Sequence, residues 1–88
     1  MYLHLGSDVV IMKSSIIGIF DLDTSTISKN TRNYLAIAEK EGRVVTVSYE
    51  LPRSFVAAVD NGIVTIYISQ LSSQTLLKRF EGHVWQDL

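Results

Sequence analysis

Short apolar runs separated by turn residues make up most of the 88-residue chain. Leu3 and Leu5 alternate with less apolar positions, which predicts a half-buried first strand ending at the turn Gly6-Ser7-Asp8. The runs Val9–Met12 and Ile16–Phe20 are too short for helices and are rich in β-branched residues. Both are therefore predicted to be strands.

The middle of the chain has the period of an amphipathic helix. Ser28 is a favourable N-cap, and the pattern predicts a helix that runs to about Glu41 and stops at Gly42. At 100° per residue, one side of this helix holds its less polar residues: Ile27, Thr31, Tyr34, Leu35 and Ala38. The opposite side is polar and cationic, so the helix is expected to lie on a sheet.

The second half of the chain predicts three more strands. Val44–Ser48 is the first, and Pro52 closes the connection that follows because it cannot donate to a central ladder. Phe55–Val59 and Ile63–Ile68 are predicted to form a hairpin through Asp60-Asn61-Gly62, since Asn-Gly accepts the positive φ angles of a tight turn.

A second, shorter helix is predicted to begin at Ser72 or Ser73 and to end at Gly82. Three of its residues are expected to point inward: Leu76, Leu77 and Phe80. Lys78 and Arg79 lie near its C-terminus, where the helix dipole favours cations.

These elements predict an α+β fold in one domain, residues 1–88, with a small, twisted, antiparallel-rich sheet of five to six strands and two helices. Several strands are apolar on both sides, and two helices are expected to cover only one face. Either the sheet coils tightly enough to bury both faces, or another copy of the chain buries the second one. We favour the second interpretation.

Composition narrows the functional classes. Cysteine is absent, which excludes disulfides and thiolate metal sites. The net charge is −1, so bulk charge gives no reason to expect nucleic acid or an acidic membrane as a partner, and any such role needs a local patch. The N-terminal residues do not resemble a secretory signal, and no apolar run is long enough to span a bilayer. The sequence predicts a cytoplasmic protein with no membrane partner.

No catalytic constellation is recognisable. His4 and His83 lack a third ligand at a metal-like spacing, and no serine belongs to a nucleophile elbow. Asp21 and Asp23 are best interpreted as a solvated loop, and no glycine-rich phosphate loop is present. The sequence therefore predicts no catalytic residue, no metal site and no cofactor.

Candidate binding residues are cationic. Lys29, Arg32 and Lys40 share the polar side of the first helix, with Arg43 just beyond its end, and this spacing suits successive phosphates. A solvated helix face, partly balanced by nearby glutamates, is the alternative. Arg53 follows Pro52 in a connection that can present a cation to a ligand.

The C-terminal tail holds the only tryptophan, Trp85. This residue is interpreted either as docking onto a neighbouring subunit or as covering the chain's own core.

Four ordered stretches resemble the extracellular matrix regulatory family of RemA and RemB, and the RemB branch most closely. They are MYLHLGSDVVI (1–11), IIGIFDLD (16–23), LPRSFVAAV (51–59) and ISQLSSQTLLKR (68–79). The resemblance implies a bacterial cytoplasmic protein linked to transcription of biofilm-matrix genes. It also implies a LytTR-like fold, assembly into closed rings and binding of double-stranded DNA. RemA-like proteins carry an arginine-rich run where this chain has Glu50–Ser54, with Arg53 as its one arginine.

The leading hypothesis is a ring-forming homo-oligomer that regulates matrix-gene transcription by binding DNA phosphates through Arg53, Lys29, Arg32 and Lys40. The alternative is an interaction module of the same fold that partners a RemA-like paralogue. An enzyme ranks third.

Overall fold

The computed structural model describes residues 1–22 and 28–81 as an α+β arrangement of six strands and two helices. The strands are β1 (Tyr2–Gly6), β2 (Val9–Met12), β3 (Ile16–Asp21), β4 (Val44–Thr46), β5 (Ser54–Asp60) and β6 (Ile63–Ser69). The helices are α1 (Lys29–Lys40) and α2 (Ser73–Glu81), and a short 3-10 turn, Lys13–Ser15, joins β2 to β3. The α+β class and the two predicted helices are confirmed.

The described strands form two sheets rather than the predicted single sheet of five to six. β1 and β2 pair only with each other as an antiparallel hairpin, and the other four strands follow the order β3-β5-β6-β4. β4 runs parallel to β6, whereas the remaining pairs are antiparallel. The physical reason is that Leu3, Leu5 and Ile11 of the hairpin pack flat on the larger sheet and become part of its core.

Each face of the four-stranded sheet has its own apolar cluster. On the hairpin side, Val56 and Ala58 contact the β1–β2 hairpin and Leu76 of α2. On the α1 side, Phe55, Ala57 and Ile66 contact Ala38 of α1. The expectation that both helices cover one face is wrong, because the hairpin and α2 share one side and α1 lies on the other.

Buried hydroxyls fasten the hairpin side. Ser69 Oγ donates to the carbonyl oxygen of Leu5 at 2.6 Å, and Ser54 Oγ donates to that of Leu71 at 2.7 Å. Ser54 and Ser69 are direct partners across β5 and β6. This pair of neighbouring serines therefore bonds both to the β1–β2 hairpin and to the segment that leads into α2. Each buried hydroxyl group thereby has a hydrogen-bond acceptor.

Helix α1 begins and ends as its sequence predicts. The Ser28 hydroxyl accepts a hydrogen bond from the Thr31 backbone N–H at 3.1 Å, as an N-cap should. Gly42 follows the helix with a φ of 77°, a left-handed conformation that favours glycine. Ala38 is fully buried, whereas Tyr34 is partly exposed; Ile27 lies outside the described residues.

The Asn61-Gly62 turn is also confirmed. Its φ angles are 53° and 78°, the two positive values that a tight hairpin connection requires. β4 is shorter than predicted and ends at Thr46.

Helix α2 differs from its prediction in which side chains it buries. Leu76 is buried and Phe80 is partly buried, but Leu77 is 43% exposed and was wrongly placed inward. Leu77 is rotated by about 100° from Leu76 around the helix, which turns it to solvent. The predicted stop at Gly82 lies outside the described residues.

Candidate nucleic-acid interface

The helix cations lie where the sequence predicts. Lys29, Arg32 and Lys40 are all exposed on the side of α1 opposite the buried Ala38. Lys29 and Lys40 are separated by about 16 Å along the helix axis at 1.5 Å per residue. Among the described residues, the side chains of these two lysines form no hydrogen bond or ion pair, so both ammonium groups can meet an incoming anion.

Arg53 occupies a different part of the molecule, at the end of the sheet. Its backbone N–H donates to Ser69 at 2.8 Å, and its carbonyl oxygen accepts from Leu22 at 3.0 Å. These bonds fix its backbone between the ends of β3 and β6, while its side chain is exposed. A rigid frame therefore presents the guanidinium to solvent.

Arg53 also lines an open cavity of about 300 Å³ at the start of α2. Ser73 and Gln74 from the first turn of α2 line it as well, and the positive end of a helix dipole favours anions. Asp21 lines the same cavity and opposes that preference. None of the three α1 cations lines it, so the structure places the predicted DNA-binding residues in two sets.

Arg43 is only partly exposed, and its guanidinium makes several contacts within the chain. Its guanidinium donates to the Val64 carbonyl oxygen at 2.8 Å, to the Tyr34 hydroxyl at 3.1 Å and to the Glu41 carboxylate at 2.8 Å. It also lies 5.5 Å from the centre of the Tyr34 ring. The hydrogen bonds to Tyr34 and then to Glu41 raise the pKa of Arg43. Arg43 therefore joins α1 to β6, which leaves its guanidinium committed within the chain.

Lys13 is a second cation with an internal role, and sequence patterns did not point to it. Its Nζ donates to the carbonyl oxygen of Phe80 in the last turn of α2 at 2.8 Å and lies 5.7 Å from the Phe80 ring centre. Lys78 and Arg79 lie in that same last turn but are exposed. No regular spacing relates Lys13 to Phe80, so only the three-dimensional fold reveals the pair.

An apolar groove of about 380 Å³ lies between α1 and the sheet. Its walls include Ile17, Phe20 and Tyr34, which are 59%, 44% and 41% exposed. Phe20 stacks on Phe55 with ring centres 4.8 Å apart. The two-sided apolar character of Ile16–Phe20 was the sequence signal for this surface.

Gly18 makes room for the Phe20 ring. A Cβ atom at Gly18 would lie 2.6 Å from Phe20 Cζ, closer than real contacts allow. The glycine inside this strand is therefore explained by the close approach of an aromatic ring.

The described residues show no group of three or more histidine, cysteine, aspartate or glutamate side chains able to hold a metal ion. His4 is exposed on β1, and its carbonyl oxygen accepts from Arg79 at 3.4 Å. Asp23 and His83 lie outside the described part of the chain. Neither described helix is long and apolar enough to cross a membrane.

The described residues form a small α+β fold with an exposed cationic helix face and an open apolar groove. No protein-family model matches the chain. It is 39% identical over 79 residues to extracellular matrix regulatory protein B of Bacillus subtilis (strain 168), which covers 90% of this chain and 89% of that protein. The chain belongs to the RemA/RemB family of extracellular matrix regulatory proteins.

Proposed function

We propose that this protein is an oligomeric bacterial regulator of extracellular-matrix gene transcription that acts in the cytoplasm by binding double-stranded DNA. The observation that carries the regulatory role is the 39% identity, over nine-tenths of the chain, to a protein named as an extracellular matrix regulator. The LytTR-like fold and the closed ring are parts of the same proposal. No cofactor, metal or catalytic step enters it.

Phosphate contacts are the proposed mode of DNA binding. Lys29, Arg32 and Lys40 share one exposed helix face, and Arg53 is held on a fixed backbone. Cations that neutralise phosphates release counterions, and this term is independent of DNA sequence. A ring repeats each cation once per subunit, so a modest charge on each chain adds up along wrapped DNA.

Self-association is supported by the outer face of the β1–β2 hairpin. Tyr2 pairs with Met12 and His4 pairs with Val10 in the hairpin register, so these four side chains share one surface. Tyr2 is 64% exposed and Met12 is 48% exposed. Contiguous exposed apolar side chains are typical of a surface that another protein covers.

The alternative function is that of an interaction module that partners a RemA-like paralogue without touching DNA. Two observations favour it. Arg43 is committed to internal hydrogen bonds, and the segment Glu50–Ser54 contains one arginine, Arg53, and one acidic residue, Glu50. Both reduce the charge that each subunit offers to phosphates.

Titration of duplex DNA at two salt concentrations separates the two functions. Phosphate binding gives a log–log slope of about −0.9 per neutralised phosphate. The double variant Lys29→Gln with Lys40→Gln should flatten that slope. The matched control, Lys78→Gln with Arg79→Gln, removes the same charge from α2 and should keep the slope. Absence of binding even at low salt would remove the DNA proposal and leave the interaction module.

A further inference from the structure

The groove between α1 and the sheet has apolar walls and a free amide group. Ile17, Phe20 and Tyr34 leave large apolar areas exposed on those walls. Within the described part of the chain, no charged residue lines the groove. Asn30 of α1 also lines it, and the side-chain amide of Asn30 forms no hydrogen bond with any described residue. Such a groove favours an aromatic side chain with a polar tip over an anion.

The outer face of the β1–β2 hairpin, formed by Tyr2, His4, Val10 and Met12, presents a side chain of this kind. Tyr2 is 64% exposed, and its hydroxyl group forms no hydrogen bond with a described residue. Its ring is apolar and its hydroxyl group is polar, a combination that is enriched at protein interfaces. A two-stranded ribbon is also narrow, with its strands about 4.8 Å apart, so its side chains can enter a groove. Tyr2 therefore matches the groove in polarity.

The groove and the hairpin lie on opposite sides of the four-stranded sheet. Phe55 and Ile66 line the groove and belong to the apolar cluster on the α1 side. Leu3 and Leu5 of the hairpin pack on the other side, so the outer hairpin face points away from the sheet. The hairpin of one chain can therefore reach only the groove of another chain. A contact between two different surfaces is head to tail, and such contacts close into a ring when the rotation between subunits allows it.

The exposed apolar area of the two surfaces suits a ring better than a pair of chains. Together they provide about 300–550 Å². This area comes from Tyr2, Val10 and Met12 on the hairpin and from Ile17, Phe20 and Tyr34 in the groove. The smallest stable interfaces bury about 700 Å² of apolar area. One contact is therefore weak by itself, whereas a closed ring holds every subunit by two contacts at once.

We infer that the hairpin of one subunit docks in the groove of the next, with the Tyr2 ring beside Ile17 and Phe20 and its hydroxyl group on the Asn30 amide. This inference rests on the self-association in the proposed function and specifies the two surfaces that form it. It does not depend on DNA binding. Trp85 lies outside the described residues and forms no part of it.

Mixing two variants tests whether the contact is head to tail. Met12→Glu damages the hairpin face and Ile17→Glu damages the groove, so each variant alone should be monomeric in sedimentation equilibrium. An equimolar mixture should form a heterodimer whose population rises with protein concentration and whose mass stops at two chains, because the intact hairpin of one variant meets the intact groove of the other. Ile63→Glu should assemble like the wild-type protein, since Ile63 is 58% exposed, against 59% for Ile17, but lies outside both surfaces.

The Tyr2 anchor has its own test. Tyr2→Phe keeps the ring and should raise the protein concentration needed for assembly several-fold. Adding Asn30→Ala to Tyr2→Phe should produce no further increase, since the hydroxyl group and the amide are each other's partners. Additive losses would show that the two groups do not meet.

The outcomes separate this contact from self-association in general. Far-UV circular dichroism checks that each variant is folded, and Ile17→Ser or Met12→Ser replaces a glutamate variant that is not. A strictly monomeric wild-type protein overturns the proposed self-association together with this inference. An oligomeric wild-type protein whose mass survives Ile17→Glu overturns the head-to-tail contact alone, as does a mixture that stays monomeric at every concentration.

Discussion

Lys13 donates a hydrogen bond from its Nζ to the carbonyl oxygen of Phe80 across 67 positions of sequence. The bond joins the 3-10 turn between β2 and β3 to the last turn of α2, where carbonyl groups lack helical partners. The positive charge of the Lys13 ammonium group also interacts favourably with the negative end of the helix dipole. The Lys13 side chain therefore caps a carbonyl group in the last turn of α2 and connects this helix to the start of β3.

Replacing Lys13 tests the contribution of this contact. Lys13→Met keeps the aliphatic stem but removes the donor and the charge, and should lower the free energy of unfolding by about 1 kcal/mol. Urea unfolding followed by circular dichroism measures the change. Lys78→Met, an exposed lysine in the same last turn, should cost less. Equal reductions for both variants would contradict the role assigned to Lys13.

Gly18 and Phe20 should be coupled energetically. Gly18→Ala places a methyl group against the Phe20 ring and should destabilise the protein by about 1–3 kcal/mol, as overpacking does. Phe20→Leu removes the ring, so adding Gly18→Ala to it should cost less than in the wild-type protein. A double-mutant cycle of unfolding free energies gives the coupling. Additive effects would show that the ring is not what excludes a side chain at position 18.

Sequence chemistry predicted the local features of the fold and missed those that depend on distant pairing. The N-cap at Ser28 and the turn at Asn61-Gly62 are each determined by two to four neighbouring residues, so both were predictable from sequence. The division into a hairpin and a four-stranded sheet depends on which strands pair, and Leu3 or Leu5 suits an edge strand as well as a covering layer. The partners of Lys13 and Arg43 lie far away in sequence.

The candidate site likewise has features that neighbouring residues predict and features that depend on distant contacts. Helix periodicity places Lys29, Arg32 and Lys40 on one exposed face, and the structure confirms that exposure. Periodicity cannot show that Arg43, a few residues further on, donates to the Val64 carbonyl oxygen and is therefore not one of the solvent-facing cations. A cation at the end of a helix has the same sequence signature whether it faces solvent or a neighbouring strand.

Arg43 should contribute to folding and not to DNA binding. Arg43→Lys keeps the positive charge, but an ammonium group cannot reproduce the guanidinium hydrogen bonds to Tyr34, Glu41 and Val64. The midpoint of thermal unfolding should therefore fall. The salt slope for DNA should stay at its wild-type value. The raised pKa of Arg43 means that its stabilisation is present below the unfolded pKa and is lost only as pH rises through the folded one. Because both values lie far into the alkaline range, the difference in midpoint between the two proteins should be constant around neutral pH.

Arg53 should contribute to DNA binding and not to folding stability. Arg53→Gln should reduce the magnitude of the salt slope by about 0.9 for each phosphate that the variant no longer neutralises, while the unfolding midpoint stays close to that of the wild-type protein. Lys78→Gln removes an equal charge from an exposed position on α2 and serves as the control. If both substitutions weaken binding equally, the effect comes from net charge and Arg53 makes no specific contact with DNA.

The outer hairpin face should determine the solution mass. Met12→Glu introduces a charge among Tyr2, His4 and Val10 and should shift the protein towards a monomer in light scattering or native mass spectrometry. Ile37→Glu, on α1, alters a side chain of similar exposure, 52%, and should leave the mass unchanged. A wild-type protein that is strictly monomeric would exclude the oligomeric proposal, whatever the variants do.

The order of synthesis gives the hairpin-side cluster one more consequence. Leu3 and Leu5 are synthesised before Val56 and Leu76 is synthesised after it, yet the four residues share one cluster. During translation, the part of this cluster that α2 covers stays exposed on β5 and β6 until residues 73–81 have left the exit tunnel. Nascent chains stalled before α2 are therefore the form of this protein most exposed to aggregation and to capture by chaperones.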